Sequence, residues 1–237
     1  MISAAEIKMV SSLSQKKFRD GLGLFVVEGE KMVSEALSSA FTIRNVYRRE
    51  DVGEKAMERM SSLSSPSPVL AVVEKPSDKE VELREGGLYL ALDSIRDPGN
   101  LGTILRTADW FGVDGILASE DTVDIYNPKV VQATMGAVFR VAFQYVSLPE
   151  TCVGAAQGGA RVFGTFLEGT DIRKSSLGSG SPSPRIIVIG NEAAGISPAV
   201  AGAVTDRITI PRFREGQESL NAAVAAAITL SEFRRQQ

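Results

Sequence analysis

Apolar residues recur in this chain at two spacings, and the two alternate. Short β-branched runs, the pattern of buried strands, give way to stretches with apolar residues three and four apart, the pattern of helices. Over the first 75 residues the order is helix (4–13), strand (24–28), helix (30–37), strand (43–47), helix (54–60) and strand (69–73). The second helix places Met32, Val33, Ala36 and Leu37 on one face, and a Ser/Pro-rich loop at 61–68 interrupts the unit. A charged stretch with Pro76 and a Gly86-Gly87 end follows, which predicts a linker at 76–87.

From residue 88 the alternation sharpens. Strands are predicted at 88–92, 115–118, 142–146, 161–166, 185–189 and 208–210, and helices at 100–111, 128–139, 151–158, 199–203 and 221–235. Strands alternating with helices argue for a parallel sheet. The expected fold class is α/β, with a smaller domain at 1–75, the linker at 76–87 and a larger parallel-sheet domain at 88–237. A Ser/Gly/Pro-rich segment at 174–184 reads as a surface loop.

Composition narrows the chemistry. The 237 residues are 43% hydrophobic and 23% charged, ordinary for a globular protein. No apolar run approaches the ~20 residues of a membrane span. The polar N-terminus carries Glu6 early and does not read as a signal peptide, so the expected location is cytoplasmic. Cys152 is the single cysteine and sits in a helical stretch, where packing is its expected task. With no histidine, no Ser-His-Asp or Cys-His arrangement and no His-ligated metal site can form, and one cysteine makes no thiolate site, so no metal is expected. Catalysis must use Arg, Lys, Asp, Glu, Ser, Thr, Asn or backbone groups, or be carried by a cofactor. The net charge of −3 argues against a bulk polyanion binder. Cations cluster locally, however, at Lys16, Lys17 and Arg19, at Arg44, Arg48 and Arg49, and at Arg212 and Arg214. Such patches are either solvated surface or phosphate contacts.

Three loops follow strand-like runs: Asp97-Pro98-Gly99-Asn100-Leu101-Gly102, Gly190-Asn191-Glu192-Ala193-Ala194-Gly195 and Ser219-Leu220-Asn221. In a parallel sheet they gather at the carboxyl edge, where ligands bind. On spacing alone Asn100 is a helix cap and Arg106, about a turn and a half later, a surface residue; both are also in reach of a ligand at that edge. The second loop is neither G-x-G-x-x-G nor a Walker A sequence, and its glutamate suits a cationic or hydroxyl-bearing ligand better than a phosphate. Ser219 reads as a cap for the last helix, which leaves Asn221 without an evident structural task. Tyr126-Asn127-Pro128-Lys129 reads as an Asn cap with Pro at the first helical position.

Together these segments strongly resemble the SpoU (TrmH-like) branch of the SPOUT RNA methyltransferases. The first family motif is matched by 93–112 with Asn100-Leu101-Gly102 and Arg106-Thr107-Ala108, the second by Ile189-Gly190-Asn191-Glu192 and Gly195, the third by Ile210-Pro211 and Ser219-Leu220-Asn221. Tyr126-Asn127-Pro128-Lys129 and Met135-Gly136-Ala137 also resemble the family. Lys17-Phe18-Arg19 and Phe25-Val26-Val27-Glu28-Gly29-Glu30-Lys31 resemble its substrate-binding domain, a ribosomal-protein-like RNA-binding α/β module.

The resemblance implies a deep trefoil knot in the C-terminal domain, an exception to the rule of unknotted chains. It implies a homodimer, S-adenosylmethionine as cofactor and methyl transfer to a ribose 2′-hydroxyl of structured RNA, rRNA favoured over tRNA. Arg106, Asn100, Glu192, Ser219 and Asn221 become the catalytic set. Thr165, Phe166, Leu167, Ile189, Gly190, Ile210, Ser219 and Leu220 would hold the cofactor, with Gly190 allowing close backbone approach to the adenosine. Lys16, Lys17, Arg19, Lys129, Arg212 and Arg214 would contact RNA. One departure stands out: family members carry Ile-Pro-Met with a glycine two residues later, whereas Ile210-Pro211 is followed here by Arg212-Phe213-Arg214-Glu215-Gly216. A noncatalytic RNA-binding or ribosome-assembly factor of the same fold is the alternative from another class. A nucleotide-cofactor oxidoreductase lacks its dinucleotide fingerprint.

Overall fold

The β-branched runs become strands. A computed structural model describes residues 2–77, 80–177, 180–214, 216 and 219–235. In chain order the elements are α1 (Ala4–Ser12), α2 (Lys16–Leu22), β1 (Leu24–Glu28), α3 (Glu30–Leu37), β2 (Ile43–Arg48), α4 (Arg49–Val52), α5 (Glu54–Met60), β3 (Val69–Glu74), β4 (Leu88–Leu92) and α6 (Pro98–Trp110). They continue with β5 (Gly115–Ser119), α7 (Pro128–Thr134), a 3-10 turn (Ala137–Phe139), β6 (Phe143–Val146), α8 (Leu148–Gln157), β7 (Arg161–Asp171), β8 (Arg185–Ile189), α9 (Pro198–Ala201), β9 (Asp206–Thr209) and α10 (Ala222–Arg235). The chain divides into two units, Met1–Ser77 with Asp124–Arg140, and Asp78–Val123 with Val141–Gln237.

The first unit has a three-stranded antiparallel sheet in the order β1-β3-β2. Side chains alternate between its faces, as strand geometry requires. Leu24, Val26, Leu70 and Val72 meet Val10, Met57 and Met60 of α1 and α5 on one side. Phe25, Val27, Ala71 and Val73 meet Met32, Val33 and Val131 of α3 and α7 on the other. The Phe25 and Tyr126 ring centroids are 4.6 Å apart. Segment 124–140 therefore folds with the first unit, although its sequence lies far beyond the predicted boundary at 75. The predicted 128–139 helix is also interrupted, because Met135 and Gly136 both take positive φ, 52° and 99°. The Ser/Pro-rich loop after α5 is pinned by the buried Glu28, whose carboxylate accepts from the Ser62 amide at 2.8 Å and from the Ser61 and Ser62 hydroxyls at 2.5 Å.

The second unit has a six-stranded parallel sheet in the order β6-β5-β4-β8-β7-β9. Its central strands β4 and β8 are buried along their whole length, which explains their unbroken apolar sequence. The described part of the expected linker is not free chain. The Val81 amide donates to Gln144 Oε1 at 2.8 Å, and the Tyr89 hydroxyl donates to the Glu82 carbonyl and accepts from the Arg84 amide, both at 2.8 Å. Strand β7 runs five residues past its predicted end at 166. Ile208 of β9 lies opposite both Thr165 and Thr170, so residues 166–169 bulge out at the carboxyl edge. Cys152 is buried, and burial together with the Asp93 carboxylate pushes its thiol up to about 11, which fits packing and not nucleophilic chemistry. Among the described residues no helix is long and apolar enough to cross a membrane.

Candidate functional site

Because the second sheet is parallel, the segments after β4, β8 and β9 emerge at one edge. After β4, Asp97 caps α6 by accepting from the Asn100 amide at 2.8 Å. Asn100 is thus inside the first turn of α6 and is not the cap that spacing suggested. Its side chain is free for another task, and it takes one: its amide nitrogen donates to Glu192 Oε1 in the loop after β8.

The loop after β8 is rigid for reasons that its sequence did not advertise. Asn191 Oδ1 accepts from the amides of Ala193 and Ala194 at 2.9 and 3.0 Å, and its Nδ2 donates to the Ser94 carbonyl at 2.8 Å. Ser94 has φ 59°, unusual for a side-chain-bearing residue. It is held there by the Ser119 hydroxyl, which accepts from its amide at 2.8 Å, and by Asp121, which accepts from its hydroxyl at 2.6 Å. The hydroxyls of Ser94 and Ser119, and then Arg96, keep the Asp121 carboxyl below its ordinary range. A Cβ on Gly190 would lie 2.3 Å from the Gly195 carbonyl carbon, so glycine is already required at 190 by the loop's own closure. Gly195, at φ 68°, completes the turn.

The third segment closes the set. Asn221 Oδ1 accepts from the amides of Ala223 and Val224 at 2.9 and 3.3 Å, so Asn221 caps α10, the role expected of Ser219. Asn221 Nδ2 donates to Asn100 Oδ1 at 2.8 Å. A continuous hydrogen-bond chain, Asn221 to Asn100 to Glu192, therefore ties together three loops from three strands. Hydrogen bonds to a charged partner are worth about 1.5–3 kcal/mol each. Ser219 and Leu220 are exposed beside this chain in sequence. An open groove of 410 Å³ runs between α6 and α10, lined by Asn100, Thr103, Thr107, Asn221, Val224 and Ile228.

The other candidates divide. Thr165 is half-buried, and its hydroxyl donates to the Val188 carbonyl at 2.9 Å, fixing β7 against β8 where the bulge begins. Leu167 at the bulge is 72% exposed. The Phe166 ring is covered on one face by the Arg207 guanidinium, whose carbon lies 3.6 Å from its centroid. Ile189 is buried in β8, and Ile210 is half-buried just after β9. Arg106 is exposed and makes no hydrogen bond or ion pair with another described residue; along α6 it stands about 9 Å from Asn100. It is not part of the Asn221–Asn100–Glu192 chain.

The expected RNA contacts fare unevenly. Arg19 is a correction: it is 1% exposed. Its Nε and Nη2 hold Asp124 Oδ2 at 3.0 and 2.6 Å, and its Nη1 donates to the carbonyls of Leu13 and Ser14, both at 2.9 Å. Four of its five N–H donors are committed and the side chain is buried, so it does not reach RNA without breaking this cage. Lys16 is exposed but paired with Asp20 at 2.6 Å, and Lys16 and Lys75 together hold the Asp20 carboxyl down at about 2. Lys17 and Lys129 are exposed, as are Arg212 and Arg214. Helix α2, which carries the first cluster, was missed in the sequence because Gly21 lies within it and Gly23, at φ 65°, ends it.

Residues 87–231 match the SpoU rRNA Methylase family, and residues 4–79 match the MRM3-like substrate binding domain. The chain is 28% identical, over 97% of its length and 96% of the relative's, to the 23S rRNA (guanosine(2553)-2′-O)-methyltransferase of Bacillus subtilis. Among solved structures it is similar to one from Porphyromonas gingivalis described as an RNA methyltransferase of the TrmH family, at TM-score 0.90 and 38% identity, covering 100% of both chains. It is also similar to the AdoMet-bound rRNA methyltransferase from Sinorhizobium meliloti, at TM-score 0.87 and 31% identity, covering 99% of this chain and 97% of that one.

Proposed function

The chain belongs to the SpoU rRNA Methylase family, and from that premise we propose that it transfers the methyl group of S-adenosylmethionine to a ribose 2′-hydroxyl of ribosomal RNA. The observation that carries the reading is the Asn221–Asn100–Glu192 chain, since it joins the three family motifs into one polar site at the carboxyl edge.

The residues at that edge fit the methyl donor. Glu192 is a carboxylate in a place where a phosphate-binding loop would have avoided one, and it suits a sulfonium cation. Leu167 and Leu220 are exposed apolar side chains on the segments next to it, suited to an adenine face. The backbone of 165–167, 189–190, 210 and 219–220 is the proposed cofactor cradle. When bound, S-adenosylmethionine supplies an electrophilic methyl group and a good leaving group. The chain's own residues then have two tasks, positioning the acceptor and stabilising charge as the 2′-hydroxyl loses its proton.

Asn100 is held at both ends, donating to Glu192 and accepting from Asn221, so its side chain cannot rotate without breaking two hydrogen bonds. Each asparagine retains a second amide N–H for a ribose oxygen. A guanidinium offers five N–H donors and no acceptor, so Arg106 is assigned as a positioning group for ribose or phosphate and not as the proton acceptor. Its freedom from partners among the described residues supports that assignment, because none of those residues holds it in an ion pair that RNA binding would have to break. The first unit is the proposed RNA-recognition module, with Lys17 and Lys129 among its exposed cations. It would read structured RNA by shape and 2′-hydroxyls.

The trefoil knot and the homodimer belong to the same reading. The exposed side of α6 and α10, with Trp110 84% exposed and Val224 and Ile228 beside the groove, supports a second copy docking there. Light scattering tests it: a mass of one chain at micromolar concentration would remove the dimer from the account. The function is tested by isothermal titration with S-adenosylmethionine. Binding at micromolar Kd is expected, and a protein that binds no S-adenosylmethionine is not a methyltransferase.

A further inference from the structure

The loop between β9 and α10 is where this chain departs from its family pattern, and it carries an unexplained side chain. Phe213 is 83% exposed. Large aromatic rings are costly to leave in water, and a lone exposed one with cations on either side is an ordinary feature of surfaces that stack bases. Arg212 and Arg214 flank it and are both exposed. The ring is also braced. The Arg173 guanidinium carbon lies 5.5 Å from the Phe213 centroid. Arg173 is in turn held by a two-pronged pair with Asp171, Nε to Oδ1 at 3.0 Å and Nη2 to Oδ2 at 2.7 Å. The Arg173 guanidinium and its amide keep the Asp171 carboxyl down at about 2, so the brace stays charged across physiological pH. The contrast with Phe166 is informative. There the Arg207 guanidinium carbon is 3.6 Å from the ring centroid and Phe166 is partly buried, whereas at Phe213 the arginine stands 5.5 Å off and the residue is 83% exposed.

We propose that Phe213, braced by Arg173 and flanked by Arg212 and Arg214, is a stacking platform for an unpaired base of the RNA substrate. The inference rests on the methyl-transfer reading for its substrate class. The loop begins two residues after β9 and leads into Ser219-Leu220-Asn221, so a base stacked on Phe213 would anchor RNA close in sequence to the ribose-positioning residues. RNA fits this patch better than a second copy of the chain. A two-fold contact through Phe213 would set three arginines against the same three, while Asp171 is already committed to Arg173. An unpaired strand offers what the patch lacks, a π-face for the ring and phosphates for the arginines.

The test uses the full chain and two fluorescein-labelled probes, a 12-nucleotide single-stranded oligoribonucleotide of mixed sequence and a duplex of the same length, read by fluorescence anisotropy. Phe213→Ala should weaken single-strand binding at least about fivefold, the low end for one stacked base, and leave duplex binding within twofold. Phe213→Trp should restore it. Arg212→Gln with Arg214→Gln should weaken both probes, as loss of phosphate contacts does. S-adenosylmethionine affinity should be unchanged in every variant. Single-strand affinity within twofold of the parent in Phe213→Ala overturns the proposal, as does an equal loss on the duplex. A change of oligomeric state with RNA affinity kept would assign Phe213 to a protein contact instead, and also overturns it. Failure of the parent protein to bind S-adenosylmethionine would sink the methyl-transfer reading while leaving the stacking result readable.

Discussion

Arg19 in the first unit and Arg106 in the second are two arginines with opposite fates. Both lie on helices, in segments that resemble the family's functional motifs, and both were candidates for contact with RNA or its ribose. Arg19 is enclosed: its guanidinium is shared between Asp124 and two backbone carbonyls, with 2% of its side chain exposed. The Arg106 side chain has no hydrogen-bond or ion-pair partner among the described residues. Arg19 has already committed four donors to tie Asp124 to α2 and to the turn after α1, so it stabilises the fold. Arg106 has committed none to the described residues, which leaves its side chain open to a ligand.

The comparison breaks first at Arg19. Replacing one partner of a buried pair leaves the other charge uncompensated, at a cost of about 3–5 kcal/mol. Arg19→Met should therefore lower the denaturant midpoint of the first unit, and Arg19→Met with Asp124→Leu should recover much of the loss. A midpoint shift worth under ~1 kcal/mol, accompanied by weakened RNA binding, would mean that Arg19 serves RNA after all. At Arg106 the expectation inverts. Arg106→Ala should leave the melting temperature and S-adenosylmethionine affinity within error while lowering methyl transfer at least about a hundredfold, the scale of losing one transition-state donor. Near-normal turnover would remove Arg106 from the site.

Asn221 sharpens the contrast, because it does both jobs. Asn221→Ala loses the α10 cap, worth about 1 kcal/mol, and releases Asn100. A modest drop in stability should accompany a drop in turnover of about tenfold. Asn221→Ser restores capping only, so stability should return and turnover should not; recovery of both would show that the Asn221–Asn100 bond is incidental. The smallest effect is expected at Cys152. With its thiol pushed up to about 11, it should not react with an aromatic disulfide reagent at pH 8 in the folded protein and should react on unfolding. Fast reaction in the native state would contradict its burial.

Much of the fold was legible because it depends on local pattern. The unbroken apolar runs of β4 and β8 announced buried parallel strands, and the spacing in α3 announced its buried face. What escaped depends on partners distant in sequence. Arg19 and Asp124 are 105 residues apart, and Asn100 and Asn221 are 121 apart, so no window along the chain reports either pairing. The extension of β7 escaped because a bulge at 166–169 hides it within a polar, glycine-containing stretch. Cap assignments slipped by a few residues, from Asn100 to Asp97 and from Ser219 to Asn221, because each pair offers two residues of capping type and only the backbone decides between them. The candidate site residues came from the three motifs and their order, and three of them, Asn100, Glu192 and Asn221, share one hydrogen-bond chain. Asn191 and Ser94, which hold two of the loops together, fall within the first two motifs, but nothing in the sequence assigned either of them a role.

The most direct test of the central claim is to incubate the purified protein with methyl-labelled S-adenosylmethionine and protein-free rRNA, digest the RNA to nucleosides and identify the labelled product by mass spectrometry. The account predicts one 2′-O-methylnucleoside, absent when Arg106→Ala replaces the parent protein. Label on a base, or a 2′-O-methyl product that survives loss of Arg106, would contradict it.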